Sequence, residues 1–209
     1  MSTPSATSTR PPIGETADAR IYLLPGRGET LTEKVGASLL RIGLAYAGRP
    51  LTGDFEALRF SGQLAVIADD LQPAFWTPEA ILIGRSYGGY LLLHTLADLP
   101  PFPGSVLLLS PVLGAAATPG GRFGSIPPRG KKLLAMAETG GFPSPRRMEI
   151  HTGQADDGCD PELARRFGAA MPETKVLAIP EAGHWLGDWR TETIIRKFIC
   201  AKIGFEFNR

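Results

Sequence analysis

Over most of its length the chain alternates short apolar runs with longer stretches in which apolar residues recur every three or four positions. Residues 21–26 (IYLLPG), 80–84 (AILIG), 105–110 (SVLLLS), 147–153 (RMEIHTG) and 175–180 (KVLAIP) are too short for buried helices and end in turn formers or polar residues. They read as strands, and 44–51 (LAYAGRPL) as a further short one. Residues 30–43, 55–71, 88–99, 131–138, 161–171 and 191–203 carry helical spacing. Gly43 closes the first of these, and Asp160 before Pro161 gives the fifth a capped start.

Strands that are apolar throughout are buried on both faces, and their alternation with helices predicts a parallel sheet between two helical layers. The expected fold class is α/β: a three-layer α/β/α sandwich with a mostly parallel sheet of about six strands. Residues 1–18, rich in Ser, Thr and Pro, read as a flexible tail, which leaves 19–209 as one domain. Residues 114–145, dense in Gly and Pro, break the rhythm. They read either as a cap over a site, with Leu133, Leu134 and Met136 as an apolar roof, or as a crossover helix with long loops.

Composition narrows the function classes. At 209 residues, with 43% hydrophobic and 21% charged positions, the chain suits one globular domain with a core of its own. A net charge of +1 supplies no global field for nucleic acid or an anionic membrane surface. Arg85 interrupts the longest apolar run short of the ~18 residues that span a bilayer. Two cysteines, Cys159 and Cys200, make no disulfide framework, so a reducing, cytoplasmic setting is expected. There is no H-E-x-x-H and no paired-cysteine motif, so neither metal nor cofactor is implied.

In open parallel sheets chemistry gathers just beyond the carboxyl ends of the strands. That rule singles out residues 25–28, 84–89, 153–157 and 183–185. Gly84-Arg85-Ser86-Tyr87-Gly88 fits G-x-S-x-G between a strand and a helix, where a sharp turn exposes a serine and small flanking residues relieve crowding. The helix N-terminus that follows aims free amides and its positive dipole end at the place where an oxyanion would form. A serine hydroxyl needs a base to become a nucleophile. Of three histidines, His94 falls inside the helix after the elbow and His151 inside a strand. His184, in the loop after the last strand, is the candidate base. Asp156, in Gly153-Gln154-Ala155-Asp156, is the preferred carboxylate to hold its tautomer, with Asp157 the alternative. The order Ser, Asp, His suits this architecture.

These residues, together with Leu24-Pro25-Gly26-Arg27-Gly28 and Ala182-Gly183-His184, make the chain resemble the α/β-hydrolase superfamily, among its small carboxylesterase-like and dienelactone-hydrolase-like serine hydrolases. The resemblance runs from Ile21 to the C-terminus and implies a near-minimal α/β-hydrolase fold without leading antiparallel strands. It implies hydrolysis of an ester-type bond in a small-molecule acyl substrate through an acyl-enzyme on Ser86. In that family the first loop usually begins His-Gly and supplies an oxyanion-hole amide. Here Pro25-Gly26 stands in that place, so the expected donors are the backbone amides of Arg27 and Tyr87, with Gly28 an alternative to Arg27. Trp185, Arg27, Leu133 and Met136 are candidate pocket residues, and Tyr87 a candidate wall. Arg27 beside the hole is placed to clamp a carboxylate or phosphate, whereas Arg85 is expected to pair with a buried acid. The basic residues Arg122, Arg129, Lys131 and Lys132 read as a solvated face. A thioesterase, a peptidase and a non-catalytic binding protein of the same fold are the competing readings, and assembly into like copies is left open.

Overall fold

A computed structural model describes residues 19–114 and 127–203. Six strands form one sheet: β1 (Ile21–Leu24), β2 (Ala47–Gly48), β3 (Ile81–Arg85), β4 (Ser105–Leu109), β5 (Arg147–Gly153) and β6 (Thr174–Ile179). Their order is β2-β1-β3-β4-β5-β6, and every neighbouring pair is parallel. Parallel neighbours need crossovers. These carry α1 (Val35–Arg41), α2 (Gly53–Ala57), α3 (Phe60–Ala74), α4 (Tyr87–Leu96), α5 (Lys132–Glu138) and α6 (Pro161–Ala169), and α7 (Asp188–Ile203) closes the chain.

Alternation along the strands divides the core in two. Tyr22, Leu24, Leu82, Val106, Leu108, Met148 and Ile150 point to one face, where Leu64, Ile67 and Leu71 of α3, Tyr90 of α4, and Ala164 and Phe167 of α6 cover them. Ile21, Leu23, Ile81, Ile83, Leu107 and Leu109 point to the other, against Val35 and Leu39 of α1 and Ile194, Ile195 and Phe198 of α7. The central strands β1, β3 and β4 are therefore buried on both faces, as their continuous apolar runs predict, whereas the edge strand β6 is only partly covered and Leu177 is exposed. No helix among the described residues is long and apolar enough to cross a membrane.

Several element boundaries depart from the sequence reading. The helix predicted over 30–43 begins only at Val35, because Thr30 and Glu33 close a turn of their own and Lys34 takes a left-handed φ of 44°. The helix predicted over 55–71 is two helices. Leu58 and Arg59 are extended, with ψ of 147° and 150°. The Gln63 amide nitrogen donates to the carbonyls of Phe55 and Glu56, so the end of α2 is satisfied without helix continuation. The closing helix starts at Asp188, three residues ahead of the expected Thr191.

Residues 1–18 and 115–126, the latter with Arg122, lie outside the described part, and with them the tail and much of the expected cap. Leu133 corrects the roof reading: on α5 it is buried in the core, with Met136 packed against the same cluster. Arg129 and Lys132 pair with Asp98, at 3.1 and 2.5 Å, as befits a solvated, partly neutralised face.

Candidate active site

The turn from β3 into α4 is fixed from both sides. The Ser86 amide donates to the Leu109 carbonyl at 3.0 Å, and the Ser86 carbonyl accepts from the Val112 and Tyr90 amides. Ser86 itself has φ 50° and ψ −121°, a strained conformation for a residue with a side chain. The turn is tight because α4 starts hard against the sheet. A Cβ on Gly88 would lie 2.1 Å from the Pro25 carbonyl oxygen, and one on Gly89 would lie 2.9 Å from Pro111 Cβ. Tyr87 and the two glycines occupy the first turn of α4, where amides have no helical partner.

The loops after β5 and β6 are tied together. Gln154 donates its amide to Ile179 and Ala155 donates to Ala182, at 2.9 and 3.0 Å. That stitching brings Asp156 to His184. Asp156 Oδ1 lies 2.8 Å from His184 Nδ1, and His184 Nε2 lies 2.8 Å from Ser86 Oγ. All three residues are buried. Oδ1 also accepts the amides of Gly158 and Cys159, each at 2.8 Å, while Thr152 donates its hydroxyl to Oδ2. Burial by itself would raise the Asp156 carboxyl. The His184 hydrogen bond and charge, with the two amides, outweigh it and hold the group below the ordinary aspartate value. Asp156 is thus the carboxylate that reaches the histidine, and Asp157 beside it is exposed.

Strand order, helical layers and this elbow at the third strand can be set beside solved structures. RhEst1, an esterase from Rhodococcus sp. ECU1013, superposes with a TM-score of 0.56 at 17% identity, over 90% of this chain and 92% of that one. The mouse α/β-hydrolase domain-containing protein 10 superposes with a TM-score of 0.63 at 14% identity, over 93% of this chain and 92% of that one. The chain has the α/β-hydrolase fold. A monoacylglycerol lipase from Paleococcus ferrophilus is similar over 87% of this chain and 94% of its own, with a TM-score of 0.59 and 15% identity. No family model and no curated protein sequence matches the chain.

In this α/β-hydrolase fold the loop after β1 lies beside the elbow, and its amides can be accounted for one by one. Pro25 has none. Gly26 donates to Glu29 Oε2 at 2.9 Å, Gly28 to the Leu51 carbonyl at 2.8 Å, and Glu29 to the Gly26 carbonyl at 3.1 Å. Within residues 25–29, the Arg27 amide is the one for which the described residues show no acceptor. The Arg27 guanidinium is exposed, lies 4.2 Å over the Tyr87 ring, and has no carboxylate partner among the described residues. Tyr87 and Trp185 are buried and half-buried respectively.

The other histidines are apart from this centre. His94 on α4 packs edge-on against Phe60 of α3 and Tyr90 of its own helix, and His151 pairs with Glu149 on β5 at 3.1 Å. Arg85 has the buried acid expected for it. That acid is Glu29, which sequence reasoning missed. The available signal was an acid in the loop after β1, complementary to the arginine that ends the neighbouring strand β3.

Proposed function

We propose that the chain is a serine hydrolase that moves an acyl group from an ester-type substrate to Ser86 and then to water. The observation that carries this reading is the unbroken hydrogen-bonded chain Ser86–His184–Asp156, with the serine on a strained turn at a helix N-terminus. Asp156 holds the Nδ1–H tautomer of His184, which leaves Nε2 to accept the Ser86 proton as Oγ attacks the carbonyl. In this reading the oxyanion of the tetrahedral intermediate is received by the amides of Arg27, in the loop after β1, and Tyr87, in the first turn of α4. His184 then gives its proton to the leaving alcohol, and a water repeats the sequence to free the acid and Ser86. The exposed Arg27 guanidinium, stacked on Tyr87, suits a substrate carrying an anionic group beside the reacting carbonyl. The esterase and lipase among similar folds agree with hydrolysis as the reaction class.

A fluorophosphonate probe tests the reading directly. The wild-type protein is expected to be labelled on Ser86, and Ser86→Ala to remain unlabelled and to lose p-nitrophenyl ester hydrolysis. A folded wild-type protein that takes no label, or a Ser86→Ala variant labelled equally, refutes it.

A further inference from the structure

We propose that Glu29 and Arg85 are positioning residues, a buried clamp that registers the oxyanion loop against the nucleophile elbow and the histidine loop. The inference rests on the serine-hydrolase reading and concerns how its first oxyanion donor is held.

Glu29 is buried at the far end of the loop after β1, and both its carboxylate oxygens are engaged. Oε2 accepts the Gly26 amide at 2.9 Å. Oε1 accepts Arg85 Nη1 in a close ion pair and Lys34 Nζ at 2.6 Å. Its backbone closes the loop as well, donating to the Gly26 carbonyl and accepting the Leu51 amide. The loop that presents the Arg27 amide is thus bounded on both sides by groups that Glu29 holds.

Arg85 carries the connection onward. It is the last residue of β3 and directly precedes Ser86, so its backbone belongs to the elbow. Its guanidinium lies under the Gly26 backbone, and its Cζ stands 5.2 Å from the centre of the Trp185 ring, next to His184. One side chain therefore spans the three segments that must agree in position for acyl transfer. The packing leaves no slack: a Cβ on Gly26 would fall 2.5 Å from Arg85 Nη1 and 2.9 Å from Glu29 Cδ. Displacing the pair must displace the loop.

Stability alone gives little reason for such a pair. Buried ion pairs are often no better for stability than apolar residues of the same volume, since desolvation cancels the attraction. Positioning does give one. An oxyanion donor must meet the oxygen within a few tenths of an ångström, and a ~1 Å misplacement can cost about a hundredfold in rate.

The double variant E29Q/R85M removes both charges together and leaves no charge buried alone. It is expected to unfold cooperatively, to react with a fluorophosphonate about ten- to a hundredfold more slowly than wild type, and to show lower kcat at unchanged KM, because the donor acts on the transition state. R85K, which retains a buried cation beside Glu29 but loses the planar fork and the face toward Trp185, is expected to keep the unfolding midpoint and still label several-fold more slowly. A folded double variant, or an R85K protein, that labels at the wild-type rate overturns the clamp. If the double variant does not fold, R85K decides alone. Failure of the wild-type protein itself to label refutes the hydrolase reading, a result distinct from a labelled wild type with unaffected variants.

Discussion

Asp156 offers a single oxygen, Oδ1, to three donors: the ring of His184 and the amides of Gly158 and Cys159. The two amides fix where that oxygen points, and so fix the imidazole. An asparagine here can still accept one of these donors, but it favours the wrong histidine tautomer. Asp156→Asn is expected to lower kcat by about 10⁴ with the fold retained, whereas Asp157→Asn, at the exposed neighbour, is expected to leave kcat near wild type. Steady-state kinetics on one ester checks both, and equal loss in the two variants defeats the assignment. Arg27 separates backbone from side chain. Arg27→Ala keeps the amide while removing the guanidinium, so KM for a carboxylate-bearing ester should rise about tenfold or more, the range for a charged hydrogen bond. KM for a neutral ester should hold. An unchanged KM for the anionic ester argues against the clamp by this residue.

At the scale of elements, α4 carries an unusual burden in His94, whose two ring nitrogens are buried without hydrogen-bond partners among the described residues. Burial, reinforced by the charges of Lys132 and Arg129 and opposed by Asp98, pushes its pKa down from 6.5 to about 4. The unfolded chain therefore takes up a proton between those values that the folded chain refuses. Stability falls as pH drops from about 6.5 to about 4 and then levels off for this group, with a loss of up to about 3 kcal/mol. Asp156 acts in a lower window: its depressed value contributes stability above the unfolded aspartate pKa, lost as pH falls through the folded one. Urea unfolding at pH 7, 5 and 4 should show a smaller decline for His94→Phe than for wild type, and parallel curves would dismiss the effect. Every strand and most helices were legible in the sequence, because apolar runs and helical spacing are local patterns. The break at Leu58 was not: it depends on a side chain, Gln63, reaching back to two carbonyls. Nor does periodicity tell which face of a short amphipathic helix is the inner one, so the sequence left Leu133 open between a roof and a crossover helix, and it is core.

For the molecule as a whole, strand order sets the site. Ser86, Asp156 and His184 follow β3, β5 and β6, each within a few residues of a strand end. That is why a motif, a turn and a loop histidine could be found without coordinates. Which acid joins them to the loop after β1 could not be read this way: the motif supplies Arg85, but Glu29 is 56 positions away and no local pattern links the two. The pair has a consequence for descent. An arginine directly ahead of the elbow serine is tolerable in this interior only while an acid waits at the end of the first loop, and the acid in turn needs a bare backbone at Gly26. Positions 26, 29 and 85 should therefore vary as a set among natural variants of this chain: an apolar residue at 85 should coincide with loss of the acid at 29 and with freer choice at 26.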